Sequence, residues 1–122
     1  MFATVIRFPM PPDTDWERLR QQAVRVAFES FRSVAGLRAK AFVFSPERSE
    51  FGGNYVWETQ DDAEAYLRSD PWRATVARLG EPRIERSEIC AYVECGDLIF
   101  PPEYGARPAV RDEAARSAAA PH

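Results

Sequence analysis

Histidine is almost absent from this sequence: the only one, His122, is the last of 122 residues. Ser-His-Asp and Cys-His catalysis, and most zinc, haem and non-haem iron sites, need an imidazole held inside the fold. These chemistries are therefore not expected, and we predict no metal. A Gly-rich phosphate loop is missing too, because Gly52 and Gly53 precede a predicted strand rather than a helix.

Cysteine and long apolar runs are also scarce. Cys90 and Cys95 fall on one predicted strand, about 16 Å apart and on opposite faces, so they cannot bridge each other. We interpret them as small buried hydrophobic residues. The first apolar run is broken by Arg7, Pro9 and Pro11, too early for a signal peptide or membrane span. We expect a cytoplasmic protein with no membrane partner.

The overall composition is that of a soluble globular chain, with 45% hydrophobic and 29% charged residues. A net charge of -3 gives no general attraction for nucleic acid, so no nucleic-acid partner is expected. The length suits one domain, which we place at residues 1–100. Residues 101–122 are rich in Pro and Ala without apolar periodicity, which predicts a mostly disordered tail.

Apolar periodicity divides the domain into strands and helices. Residues 2–8 alternate as in a half-buried strand, and Thr14 with Glu17 forms a capping-box pattern ahead of a helix of about 18 residues, ended by Gly36. The remaining predictions are strands over 37–44 and 51–58 joined by a polar hairpin loop, a helix capped by Thr59 and Asp62 that restarts or kinks at Asp70-Pro71, and a long strand over Ile84–Cys95.

The resulting order, β-α-β-β-α-β, predicts a ferredoxin-like α+β fold, a four-stranded antiparallel sheet with both helices on one face. The other face would be bare. Several strands carry apolar residues on both sides, as at Phe42/Val43 and Val56/Trp57. Pairing of two such faces would cover them, so we expect a homodimer, a dimeric α+β barrel.

Three stretches carry a family resemblance: GLRAKAF at 36–42, GGNYVWET at 52–59 and DDAEAYL at 61–67. They resemble the YdhR-like monooxygenase branch of the dimeric α+β-barrel superfamily, which includes antibiotic-biosynthesis monooxygenases, over roughly residues 2–96. The resemblance implies a pocket between sheet and helices where an aromatic or polyketide-type molecule is oxygenated without a cofactor, with O2 as co-substrate. The alternatives are a cyclase or isomerase using the same pocket, and a non-catalytic dimeric binding protein.

Three candidate catalytic residues follow from this resemblance. Lys40 and Arg38 share a predicted strand face with Phe42, so their charged ends either reach solvent or border a pocket. A desolvated Lys40 would have a lowered pKa and act as a base, whereas Arg38 would stay charged and hold an enolate. Tyr55 would donate to a substrate oxygen or, alternatively, to a backbone carbonyl.

The candidate substrate-binding residues are aromatic: Trp57, Tyr66, Trp72 and Phe42. Trp57 would form a broad apolar wall with one N–H to orient an oxygen, or would be ordinary core. Tyr66 takes the helix position at which many superfamily members carry His, and would orient a ligand. Trp72 would either cover the pocket or pack in the core.

Overall fold

The computed structural model describes residues 1–99, and the predicted tail, residues 101–122, lies outside them. Its elements are β1 (Phe2–Pro9), α1 (Trp16–Glu29), β2 (Leu37–Ser45), β3 (Glu50–Trp57), α2 (Gln60–Leu67), α3 (Asp70–Leu79), β4 (Arg83–Glu88), β5 (Tyr92–Glu94) and β6 (Asp97–Ile99). Short 3-10 turns occupy Phe31–Ser33 and Pro46–Arg48. The chain divides into two units, Phe2–Ser87 and a second one made of Met1 with the residues from Glu88 onward.

The larger unit contains the four-stranded sheet, in the order β2-β3-β1-β4. β3 pairs antiparallel with both β1 and β2, so it lies inside the sheet. This is the predicted ferredoxin-like α+β fold, and the prediction is confirmed.

The alternation predicted for β1 places one side of that strand in the core. Phe2, Thr4, Ile6 and Phe8 are buried, while the residues between them are partly exposed. Trp57, at 1% exposure, lies opposite Phe2 on β3. The buried cluster on this side of the sheet also includes Tyr55, Ala63 and Trp72, so α2 and α3 contribute to the same core.

The first helix is shorter than predicted and has a different cap. Asp15, not Thr14, is the N-cap, and its carboxylate accepts a hydrogen bond from the Arg18 backbone N–H. The helix ends at Glu29, well before Gly36, and a 3-10 turn begins at Phe31. The prediction extended the helix because Phe31 and Val34 continue the apolar spacing, which a 3-10 turn packed on the core also satisfies.

The second helical region agrees with the sequence. Thr59 caps α2 by accepting from the Asp62 backbone N–H, and Ser69 caps α3 in the same way at Trp72. Pro71 lies in the first turn of α3, where its missing N–H has no helical partner to lose. The predicted restart at Asp70-Pro71 is therefore confirmed as a new helix.

The prediction of one long last strand over Ile84–Cys95 is wrong. β4 ends at Glu88, and β5 pairs with β6 as a separate two-stranded hairpin. Cys95 and Gly96 form its two-residue turn, both with positive φ, 52° and 86°, which is the geometry of a type I′ turn. Apolar alternation ran through this region and concealed the turn. Cys90 and Cys95 are consequently exposed free thiols and not buried, as had been expected.

Within residues 1–99, no helix is long and apolar enough to cross a membrane.

Candidate functional site

A cavity lies enclosed between the sheet and the helices of the larger unit but partly open to solvent, with a volume of about 70 Å³. Helices α1 and α3 form one side, and residues of β1, β2 and β3 form the other. Its aromatic lining consists of Phe8, Phe31, Phe42, Phe51, Tyr55, Tyr66 and Trp72. The remaining side chains are mainly apolar, with the polar exceptions Lys40, Gln22, Thr75 and Arg78. The cavity is therefore an aromatic chamber containing very few charged groups.

Lys40 is the most unusual group in this chamber. Its ammonium nitrogen lies 3.4 Å from the ring centre of Phe31, 3.8 Å from that of Phe42 and 4.5 Å from that of Tyr55. Across residues 1–99, it has neither an ion pair nor a hydrogen bond. Burial lowers the pKa of Lys40 to about 7, whereas the negative faces of the three rings favour the charged form. The amine is consequently available in both protonation states near neutral pH.

A signal for Lys40 was present in the sequence, since it is the only lysine among 122 residues and every other cationic side chain is arginine. Arginine keeps its charge under almost any condition, whereas lysine loses a proton readily when buried. The chain thus places its single lysine in the cavity. Counting lysines separately from arginines would have favoured Lys40 over Arg38 from the sequence alone.

The two glycines before Tyr55 make room for this arrangement. A Cβ on Gly53 would lie 2.9 Å from a ring carbon of Tyr55 and 3.0 Å from Cε of Lys40, closer than side chains normally approach. A Cβ on Gly52 would collide with the backbone carbonyl oxygen of Ile6. Gly53 therefore admits the lysine stem to the cavity, and Gly52 allows β1 and β3 to pair closely.

Tyr55 and Tyr66 lie side by side in the cavity wall, with ring centres 5.9 Å apart. Burial, reinforced by the neighbouring Tyr66 phenol, raises the pKa of Tyr55 above its ordinary value. Burial also raises the pKa of Tyr66, partly offset by its interaction with Tyr55. Both phenols stay protonated at neutral pH, so they act as hydrogen-bond donors and not as bases.

Trp57 is placed behind the cavity wall and is not part of its lining. Its ring stacks on Tyr55 at 5.7 Å with an interplanar angle of 6°, and it lies 5.5 Å from the Tyr66 ring. Its indole N–H donates to the buried Thr4 hydroxyl at 3.0 Å. The N–H is thus used inside the core, and the packing alternative describes Trp57 in this structure.

Arg38 is separated from Lys40 by an irregularity in β2. The register shifts between Leu37, opposite Trp57, and Ala39, opposite Val56, so Arg38 is the extra residue of a bulge. Leu37 consequently packs on the core. The Arg38 guanidinium pairs with Glu58 at 3.3 Å. Arg38 and Lys40 both line a shallow outer pocket, but Arg38 does not line the enclosed cavity.

Phe42 and Trp72 both line the enclosed cavity. Trp72 is also part of the buried core and lies 5.7 Å from the Tyr66 ring. Phe42 meets Phe31 edge to face at 5.4 Å. Of the seven candidates, Lys40, Tyr55, Tyr66, Trp72 and Phe42 are brought together around the cavity, while Trp57 and Arg38 are not.

Phe31 is the residue that sequence reasoning missed. It lines the enclosed cavity, a neighbouring pocket of about 350 Å³ between the end of α1 and α2, and the shallow outer pocket of about 310 Å³ beside Arg38. Its ring also covers the Lys40 nitrogen. One side chain therefore separates three spaces. The sequence assigned Phe31 to the face of a longer helix, so this position could not be recognised.

Asn54 is exposed on the opposite face of the sheet, as its place in the strand predicts. The Arg7 guanidinium donates to its side-chain oxygen at 2.8 Å and to the Gly53 carbonyl at 3.2 Å. Around this pair, the face carries Ala3, Val5, Ala39, Ala41, Val43 and Val56, aligned in rows across β1, β3 and β2. The surface is largely apolar.

The fold and cavity define a class of protein, a ferredoxin-like α+β domain that encloses an aromatic chamber between its sheet and its helices. Residues 5–92 match the sequence model of the family described as "Putative mono-oxygenase ydhR", and the chain belongs to this family. The resemblance drawn from the three sequence stretches is confirmed. No curated protein matches the chain significantly.

Solved structures share the fold at low sequence identity. A "putative antibiotic biosynthesis monooxygenase" from Deinococcus radiodurans is similar with a TM-score of 0.60 and 14% identity, covering 77% of this chain and 97% of that one. A protein of unknown function from Nitrosomonas europaea gives 0.60 and 21%, with coverages of 76% and 92%. The monooxygenase from the ActVA-Orf6 gene of Streptomyces coelicolor, solved with nanaomycin D, gives 0.58 and 19%, with coverages of 76% and 90%.

Proposed function

We propose that this protein is a cofactor-independent monooxygenase that oxidises an aromatic or polyketide-type molecule in the enclosed cavity, with O2 as co-substrate. The observation that carries the proposal is the single lysine, Lys40, whose partly buried ammonium group lies against three aromatic rings. Family membership supports the reaction type, and the nanaomycin D complex of a protein with the same fold supports the ligand class.

In this proposal, the uncharged Lys40 amine removes a proton from a phenolic or enolic substrate. Burial lowers the pKa of Lys40 to about 7, so about half of the amine is a competent base at neutral pH. The resulting ammonium then lies beside the enolate it has produced and stabilises it. The protonated Tyr55 and Tyr66 phenols donate to the substrate's oxygen atoms.

The oxidation itself needs no protein-bound redox group. The enolate passes one electron to O2, and the two radicals combine to a peroxide at the enolate carbon, which keeps one hydrogen. The peroxide takes back the proton that Lys40 removed, and loss of water then converts this carbon into a carbonyl, so one oxygen atom enters the product and the other leaves as water. The protein binds the substrate, keeps water away and moves the proton.

Binding such a substrate requires Phe31 to move. Ligand pockets usually measure about 300–1,000 Å³, whereas the enclosed cavity has about 70 Å³. The two outer pockets, of about 350 and 310 Å³, meet it at Phe31. Displacement of this ring would join the three spaces and expose Lys40 to the ligand.

The test combines tryptophan fluorescence with dissolved-oxygen measurement on a panel of anthrones and hydroxynaphthalenes. Quenching together with oxygen uptake above the protein-free rate is expected. Lys40→Met should retain quenching and lose oxygen uptake, while Arg48→Met, which removes an exposed cation from the β2–β3 loop, should retain both. Quenching with an anaerobic spectral change would indicate a cyclase or isomerase, and quenching with unchanged compound would indicate a binding protein. Either outcome contradicts the oxygenase.

We also propose a homodimer formed through the open face of the sheet. The rows of Ala and Val side chains on β1, β2 and β3 suit packing against the same face of a second copy. No helix of the larger unit has to cover this face. Val56→Glu should give a monomer in sedimentation velocity, whereas Val24→Glu, on the exposed side of α1, should not.

We also propose a cytoplasmic location, which the exposed free thiols support.

A further inference from the structure

Lys40 has a combination of features that a general base does not require. It is the only ε-amine of the chain, it is enclosed by three rings, and no carboxylate of residues 1–99 pairs with it. We infer that Lys40 is also a nucleophile that forms an imine with the ketone or aldehyde of a bound ligand. The inference rests on the proposed function because it uses the same cavity. The substrate class that it implies is carbonyl compounds with a planar body.

The step requires no reagent beyond the ligand. The Nζ lone pair forms a C–N bond to the carbonyl carbon while the C–O π bond opens, and the nitrogen's proton passes to the oxygen. The resulting carbinolamine loses its hydroxyl as water, and the C=N bond forms. Nothing is oxidised or reduced. The Tyr55 and Tyr66 phenols in the wall are the neutral donors that can hydrogen-bond to the departing oxygen.

The lack of a carboxylate partner for Lys40 among residues 1–99 is central to this inference. A lysine paired with Asp or Glu remains an ammonium and has no lone pair to donate. Here the neighbouring groups of Nζ are the faces of Phe31, Phe42 and Tyr55. Burial, which also lowers the pKa of Lys40 to about 7, leaves much of the amine uncharged at neutral pH. The rings that face Nζ also reduce its contact with water, which would hydrolyse the imine.

An imine would also explain how this cavity prepares a carbon acid for oxidation. Protonated imines withdraw electrons from the neighbouring C–H bond more strongly than ketones do. Deprotonation of that carbon gives an enamine, which is the electron-rich form that the proposed reaction with O2 needs. Lys40 would then activate the substrate covalently instead of by proton removal alone.

The experiment uses the full chain and 2,4-pentanedione, a small diketone that condenses with amines to a stable, ultraviolet-absorbing enaminone. Intact mass and peptide mapping at pH 7 identify the modified amine. The comparison is a variant that carries Lys40→Met with Arg48→Lys, which moves the single lysine to the exposed β2–β3 loop. At its ordinary pKa of about 10.4, only about one such amine in 2,500 is uncharged at pH 7.

The expected result is modification of Lys40 about tenfold or more faster than of the relocated lysine, with a rate that rises through pH 7. Labelling carried out in denaturing urea should remove the difference, because the unfolded Lys40 regains its ordinary pKa. In the Phe31→Ala variant, labelling should be faster still. Retained circular dichroism in each variant serves as the folding control.

Three results would overturn the inference: equal rates for the two lysines, no adduct at Lys40 in either the native protein or Phe31→Ala, and an adduct in Phe31→Ala only. Each would leave a base role for Lys40 intact if oxygen uptake is still observed. Conversely, a fast Lys40 adduct without oxygen uptake on the hydroxynaphthalene panel would support the imine and contradict the oxygenase. The two proposals therefore fail separately.

Discussion

The pH dependence of the free energy of unfolding gives a direct measure of the environment of Lys40. Its pKa falls from 10.5 to about 7 on folding because of burial. Between these values the unfolded chain holds one more proton than the folded chain, so stability rises with pH by about 1.4 kcal/mol per unit. This stabilisation is fully present above pH 10.5 and is progressively lost as the pH falls to about 7.

From pH 7 to pH 9, the expected gain is about 2 kcal/mol, since the folded amine is already half uncharged at pH 7. Cation–π contact with Phe31, Phe42 and Tyr55 favours the ammonium and makes the gain smaller. Lys40→Met removes the titrating group and retains most of the side-chain volume. Its stability at pH 7 should therefore exceed that of the native chain.

Urea unfolding at pH 7, 8 and 9, at one fixed protein concentration, measures both quantities. The native chain should become more stable over this range, and the difference between it and Lys40→Met should shrink as the pH rises. Arg48→Met, which removes an exposed cation, should follow the native curve. A pH-independent difference between the native chain and Lys40→Met would refute the account of Lys40 as a desolvated amine.

Two further predictions concern the strands around the cavity. Gly52→Ala should destabilise the protein by about 3 kcal/mol or more, because the new Cβ meets the Ile6 carbonyl. Gly53→Ala should cost less, because a flexible lysine stem can move. Urea unfolding measures both losses in stability, and equal losses would contradict the prediction. Trp57→Phe should lose about 2–3 kcal/mol through a small void and the orphaned Thr4 hydroxyl. Adding Thr4→Val should recover part of that loss, and strict additivity of the two changes would be the opposite result.

Much of the fold was predictable because its signals are local. Alternation over residues 2–8, the Thr59 cap and the restart at Pro71 each depend on residues within a few positions of one another. The errors occurred where a local pattern had two structural solutions. Apolar spacing through Phe31 fits both a longer helix and a 3-10 turn on the core. Alternation through Cys95 fits both a continuous strand and a hairpin with a tight turn.

The candidate site was predictable in its residue types but not in its arrangement. Aromatic residues near Lys40 were expected, and five of the candidate side chains do meet at the cavity. Whether Trp57 faces a ligand or the core depends on Thr4, which is 53 positions away and accepts its N–H. The separation of Arg38 from Lys40 depends on how β2 aligns with β3. Neither contact can be predicted from the local sequence.

Periodicity, capping and composition are properties of the chain alone, and they were enough to predict the order of the four sheet strands and the helical regions between them, the lack of an internal histidine and the presence of one lysine. The chemical environment of that lysine follows from tertiary contacts instead. Phe31, Phe42 and Tyr55 come from three different elements, and their convergence removes Lys40 from water and shifts its pKa. Desolvation results from packing between distant segments, so the chemistry of Lys40 emerges only when the sheet and helices are assembled.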